Sequence, residues 1–175
     1  PAFACPPAFN RPYSIVADVE LATDGASGVL VAQGGDAGGF TFHLKDGRPR
    51  FVYNFMGRDE YVVEGTDAVA PGRHELRYEF EPTGDPDILN GKGSPGRGQL
   101  YVDGELVGNT EYPITAPLIF ELEGLSCGYD FGAPASDEYE PPFAFTDTIH
   151  SVTFDLSGEL ITDDAAQVAL LMAQQ

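Results

Sequence analysis

Residues 74 to 80 read His74-Glu75-Leu76-Arg77-Tyr78-Glu79-Phe80, with Leu76, Tyr78 and Phe80 separated by charged side chains. A period of two with one apolar face marks a strand of an antiparallel sheet lying on a core; a helix would repeat near 3.6. The same rhythm runs through Tyr13-Ser14-Ile15-Val16-Ala17-Asp18-Val19-Glu20. It returns at Phe40, Phe42 and Leu44, at Phe51, Tyr53 and Phe55, and at Val152, Phe154 and Leu156. Asp46-Gly47 and Asp103-Gly104 separate pairs of such runs, and Asp-Gly supplies the positive φ of a tight hairpin. About ten strand candidates with Gly/Pro turns and no intervening helix predict a two-sheet antiparallel jelly-roll sandwich.

The sandwich is expected over 12–158, after a Pro-rich lead-in at 1–11 and before a tail at 159–175. In the tail, Thr162 or Asp163 can cap a short C-terminal helix whose stripe, Val168, Leu171 and Met172, is expected to dock on apolar surface. Two inner regions break the alternation. Glu81–Gly98 reads as a long polar loop and Leu125–Pro142 as an irregular Gly/Pro/acid segment, and long loops on a rigid scaffold tend to carry sites.

The 175 residues hold 28 Asp+Glu against 9 Lys+Arg, a formal charge of -19. That balance argues against nucleic acid, whose phosphates need a basic surface, and against docking on anionic lipid. No apolar run reaches the length of a membrane span. The first thirty residues lack the basic-then-apolar order of a signal peptide, and bacterial cytoplasm and periplasm both stay open. A start at Pro1 and an apolar close suggest a piece of a longer polypeptide.

Several segments in order resemble a known family. They include Gly28-Val29-Leu30-Val31-Ala32-Gln33-Gly34-Gly35, Lys45-Asp46-Gly47-Arg48-Pro49, Gly91-Lys92-Gly93, Leu100-Tyr101-Val102-Asp103-Gly104, Tyr129-Asp130-Phe131-Gly132 and Pro142-Phe143-Ala144-Phe145-Thr146. Together they resemble the C-terminal β-rich domain of bacterial arylsulfatases, from about Asn10 to Gln175. The resemblance implies a concanavalin-A-like sandwich belonging to a sulfuric ester hydrolase. It does not bring the catalytic site, because the family's nucleophile lies in Cys-x-(Pro/Ala)-x-Arg. Cys5-Pro6-Pro7-Ala8-Phe9 has Phe9 where the Arg is required. No catalytic residue is therefore assigned.

The remaining chemistry is sparse. Asp130, Ser136, Asp137 and Glu138 gather hard oxygen ligands in one loop, and Asp130 and Asp137 are the candidate ligands for a possible calcium ion. Asp85-Pro86-Asp87 with Asn90 is one residue out of EF-hand spacing. His43 is expected on the solvated face, and His74 and His150 at the edge of the core. Glu75/Arg77/Glu79 reads as a solvated face, and Gly91–Gly98 as a flexible loop. Cys5 and Cys127 could pair in an oxidising compartment, but two reduced thiols are expected. Tyr101, Val16 and Leu30 interrupt polar faces, so either a partner domain or loops of the same chain should cover them.

The function expected from these readings is a non-catalytic domain that packs on an upstream sulfatase catalytic domain, shapes its cleft or mediates homo-oligomer contacts. The alternative is a free-standing carbohydrate-binding, lectin-like module with a glycan partner. The lack of Trp weighs toward the former.

Overall fold

The computed structural model describes residues 5–117 and 124–163, together with Ala166, Ala169 and Met172 of the tail. Ten strands form in chain order: β1 (Tyr13–Leu21), β2 (Gly28–Gly35), β3 (Gly38–Lys45), β4 (Arg48–Phe55), β5 (Asp59–Glu64), β6 (Gly72–Pro82), β7 (Gly96–Val102), β8 (Glu105–Tyr112), β9 (Leu125–Cys127) and β10 (Thr148–Asp155). They make two antiparallel sheets of order β10-β1-β6-β7-β8 and β5-β4-β3-β2-β9. The fold is the two-sheet jelly-roll sandwich that the alternation implies.

Both Asp-Gly turns form as read. Asp46 and Gly47 have φ of 51° and 78°, and Asp103 and Gly104 have 50° and 83°. Two positive values in succession match the right-handed twist of the strands they join. Inward side chains of both sheets make one core, rich in rings. Phe51 and Tyr78 stack 3.4 Å apart between the sheets, and the Tyr78 hydroxyl donates to that of Tyr112 at 3.0 Å. The Tyr53 hydroxyl accepts from the Ala116 amide at 2.8 Å, so these buried phenols keep partners.

Three expectations are corrected. The first is Leu30, placed outward by strict alternation. The ladder between β2 and β3 slips between Val29 and Val31, and this bulge turns both Leu30 and Val31 into the core. Val29 and Ala32 then point the other way, where Tyr139 covers them.

The second is the polar loop of 81–98. β6 runs to Pro82 and β7 begins at Gly96, so only the middle is a connection, and it is not loose. Asp87 pairs with Lys92 around a single 3-10 turn at Ile88–Asn90, and Gly93 pairs with Thr115. A Cβ at Gly96 would strike the Phe80 ring, and one at Gly98 the Tyr112 hydroxyl. The glycines therefore make room for core rings. Asn10, 3% exposed and at φ 48°, ties this connection to the rest of the chain. Its Oδ1 accepts from Ser94 N at 2.9 Å and its Nδ2 donates to Pro117 O at 2.9 Å. Its carbonyl accepts from Ile161 N at 2.7 Å.

The third is the tail. Ala166, Ala169 and Met172 are helical, and Asp163 caps them by accepting from Ala166 N at 3.0 Å. Ala166 is buried, whereas Met172 is 72% exposed, so Met172 does not dock. Val168 and Leu171 lie outside the described residues.

Candidate functional site

The two sheets differ in what lies on their outer faces. Residues 128–145 form a strap across the sheet that holds β2, β3 and β4. Val29 N donates to Phe143 O at 2.9 Å, Phe145 N to Gly128 O at 2.9 Å and Gly128 N to Leu30 O at 3.0 Å. Tyr139 and Phe143 stack 4.8 Å apart over Val29 and Ala32.

His43 lies beneath those rings, edge-on to both, and is fully buried. The expectation of a solvated His43 is thus overturned, because the strap covers the polar side of β3. A carboxylate can only accept, so His43 Nε2 donates to Glu138 Oε2, at 3.1 Å. The other Glu138 oxygen pairs with Arg50 at 3.0 Å, and Lys45 Nζ donates to the Glu138 carbonyl at 2.7 Å. Burial holds His43 below the ordinary imidazole value, outweighing the Glu138 carboxylate. For Glu138, burial pushes up, but His43, Arg50 and Lys45 together hold it below the usual carboxylate range.

Both shifts make acid unfavourable for the strap. Below the ordinary His value of 6.5 the unfolded chain binds a proton that folded His43 resists, so stability falls as pH falls. Glu138 adds a further loss as pH drops below 4.5 and through its depressed folded value. Melting temperature should therefore decline from pH 7 toward pH 5, and His43→Gln should flatten that first limb. An equally steep limb in His43→Gln would assign it elsewhere.

The calcium candidates face different partners. Asp130 is buried, with Oδ2 accepting from the Tyr139 hydroxyl at 2.6 Å and from Ala135 N at 3.1 Å. Asp137 is exposed, and its amide donates to Glu60 Oε1 at 3.1 Å. It borders a notch of about 120 Å³ shared with Asp36, Asn54, Asp59 and Glu60. Burial pushes Glu60 up, outweighing the Asp137 amide hydrogen bond that holds it down. Among the described residues no group of three or more His, Cys, Asp or Glu is arranged to hold a metal ion. Asp130 pins the strap, and Tyr129 and Phe131 on either side stand out at 43% and 75% exposure. The sequence reading passed over this aromatic pair, although two rings in a Gly-flanked segment without alternation were its signal.

His74 is hydrogen-bonded at the sandwich edge, 2.7 Å from Asp103 and 2.9 Å from Ala70 O. His150 is exposed beside Glu20 at 3.2 Å, because a bulge opposite Asp18/Val19 turns it outward. Cys5 and Cys127 are free thiols, and burial raises the Cys127 value.

The other outer face, on β10-β1-β6-β7-β8, bears a groove of about 460 Å³. Strand register builds it: Asp155 pairs with Ser14, Ser14 with Glu79 and Glu79 with Gln99, in a row across four strands. Asn109 of β8 extends the row. Ser157, Glu81 and the backbone at Gly158 close one end. Ser157 hydrogen-bonds to Asp155 and holds that carboxylate below its usual range. One register step away Arg77 pairs with Tyr101, its guanidinium 4.5 Å over the ring and 3.1 Å from Glu79. Tyr101 and Val16, expected to be covered by a partner domain or by loops of the same chain, are half-buried in this polar face. Glu75, Arg77 and Glu79 do share it, as the alternation implies.

No family model matches the chain, and no curated protein matches it. Solved structures do. Domains LG4-5 of the mouse laminin alpha1 chain match with a TM-score of 0.59 at 15% identity over 86% of this chain, which spans 37% of that chain. The CBM40 of the Ruminococcus gnavus IT-sialidase matches with a TM-score of 0.56 at 14% identity, covering 93% of this chain and 83% of that one. The native heptameric SAP-like pentraxin of Limulus polyphemus matches with a TM-score of 0.52 at 10% identity, covering 85% and 64%. At such identities the likeness is one of fold, the lectin-like jelly-roll sandwich.

Proposed function

We propose that this chain is a non-catalytic carbohydrate-binding module that receives a glycan on the open face of β10-β1-β6-β7-β8. The observation that carries the reading is the row Asp155, Ser14, Glu79 and Gln99 along the groove. Adjacent strands place these side chains about 4.8 Å apart, close to the length of one sugar ring. Carboxylate, hydroxyl and amide groups in such a row suit the hydroxyls of successive sugars, and Tyr101 adds a ring beside it. The fold supports the reading too, since the Ruminococcus gnavus CBM40 of the same fold is described bound to alpha2,6 sialyllactose.

The test is binding of the whole chain to an oligosaccharide array, followed by calorimetry on the best ligand. Ser14→Arg, which fills the groove from the inner strand β1, should weaken binding tenfold or more with an unchanged melting curve. Full binding by that variant would remove the groove from the reading.

A second reading, the C-terminal domain of an arylsulfatase, rests on the ordered segments that resemble that family. Leu125 of β9, with Tyr129 and Phe131 after it, gives it an exposed apolar contact surface. It predicts that Phe131→Asp weakens association with a co-expressed upstream sulfatase domain; no association at tens of micromolar would sink it.

A further inference from the structure

We infer that the groove selects uncharged glycans and rejects those carrying sialic acid, uronate or sulfate, an inference that rests on the carbohydrate-binding reading of this face. The arginines of the face are committed. Arg73 holds Asp18 at 2.7 Å, Arg77 holds Glu79 at 3.1 Å and Arg97 holds Glu111. Glu81 and Asp155, which line the groove, form no ion pair among the described residues, whose ion pairs at this face are otherwise those three and His150 with Glu20. An anionic sugar entering between Asp155, Glu79 and Glu81 would meet like charges, and among the described residues the other cations bordering the groove are engaged, Arg97 opposite Glu81 by Glu111 and Arg11 by the Leu156 carbonyl. It would have to draw Arg77 away from both Glu79 and the Tyr101 ring. A neutral sugar meets no such obstacle, because its hydroxyls donate to the same carboxylates, and a charged acceptor makes the stronger hydrogen bond. Like-charge rejection of this kind is a general route to specificity. The net charge of -19 extends the bias beyond the groove.

The distinction separates this face from one that would take sialyllactose despite the shared fold. It also gives particular residues the role of discrimination. Glu79 occupies Arg77, and Asp155 supplies most of the repulsion, since Arg97 faces Glu81 across the ladder and offsets part of its charge.

The experiment uses the intact chain on an array of matched pairs. Each pair is a neutral oligosaccharide and the same oligosaccharide bearing sialic acid, uronate or sulfate. Neutral members should bind at least tenfold more tightly than their acidic partners at low salt, and the ratio should shrink in high salt as screening shortens the repulsion. Asp155→Asn and Glu79→Gln should each narrow the ratio several-fold, by strengthening the acidic partners as well as weakening the neutral ones. Acidic members binding as well as neutral ones, with Ser14→Arg abolishing both, would overturn the selectivity and leave the carbohydrate-binding reading intact. No binding by any member would overturn that reading and the selectivity with it.

Discussion

Phe51→Ala should cost about 3–5 kcal/mol of folding stability, the range for deleting a fully buried ring. Phe51 is completely buried and lies where the two sheets meet. It comes from β4, stacks on Tyr78 of β6 at 3.4 Å and lies 5.3 Å from the ring of Phe40. Removing it opens a cavity on which the two sheets cannot simply close, because Tyr78 is held by its hydroxyl contact to Tyr112. Urea unfolding should show a lower midpoint with an unchanged slope, which marks a loss of stability without a change in the surface exposed. Leu106→Ala, at a side chain 52% exposed, should stay within about 0.5 kcal/mol of the parent. A loss below about 1.5 kcal/mol for Phe51→Ala would mean that the ring pair does not join the sheets as described.

Asn10→Ala should be comparably damaging, for a different reason. The side chain satisfies two backbone groups, Ser94 N and Pro117 O, in a region where Asn10 itself is 3% exposed. Stranding a buried polar group costs about 1–3 kcal/mol each. Alanine at φ 48° adds about 1 kcal/mol, since the left-handed region crowds its Cβ. A total loss of about 3–7 kcal/mol follows. Asn10→Gly loses the same hydrogen bonds but tolerates the backbone, so it should be less destabilised by about 1 kcal/mol. Equal losses for the two variants would show that the backbone conformation contributes nothing. A neutral Asn10→Ala would show that the lead-in does not hold the 82–96 connection.

What the sequence made legible was whatever acts locally. Period-two runs placed the main strands, and Asp-Gly placed two hairpins at the residue. Alternation also set Glu75, Arg77 and Glu79 on one outer face. What escaped depended on contacts distant in sequence. Leu30 turns inward through a bulge, which shifts alternation by one residue without any local mark. His43 sits in a polar-looking stretch, Thr41-Phe42-His43-Leu44-Lys45, and is buried only because a strap 95 residues away lays Glu138 against it. Asn10 reads as one more residue of a Pro-rich lead-in until Ser94 and Pro117 are brought to it. The groove was hidden for the same reason: its row joins Ser14, Glu79, Gln99 and Asp155, which share nothing but strand register.

The most direct test of glycan binding on this face is amide chemical-shift mapping on the isotope-labelled chain, titrated with the best neutral oligosaccharide from the array. Saturable shifts should cluster at Ser14, Glu79, Gln99, Asp155 and Ser157, with the strap amides of Asp130, Asp137 and Glu138 unmoved. Shifts confined to the strap around Tyr129 and Phe131, or no saturable shift at millimolar oligosaccharide, would contradict it.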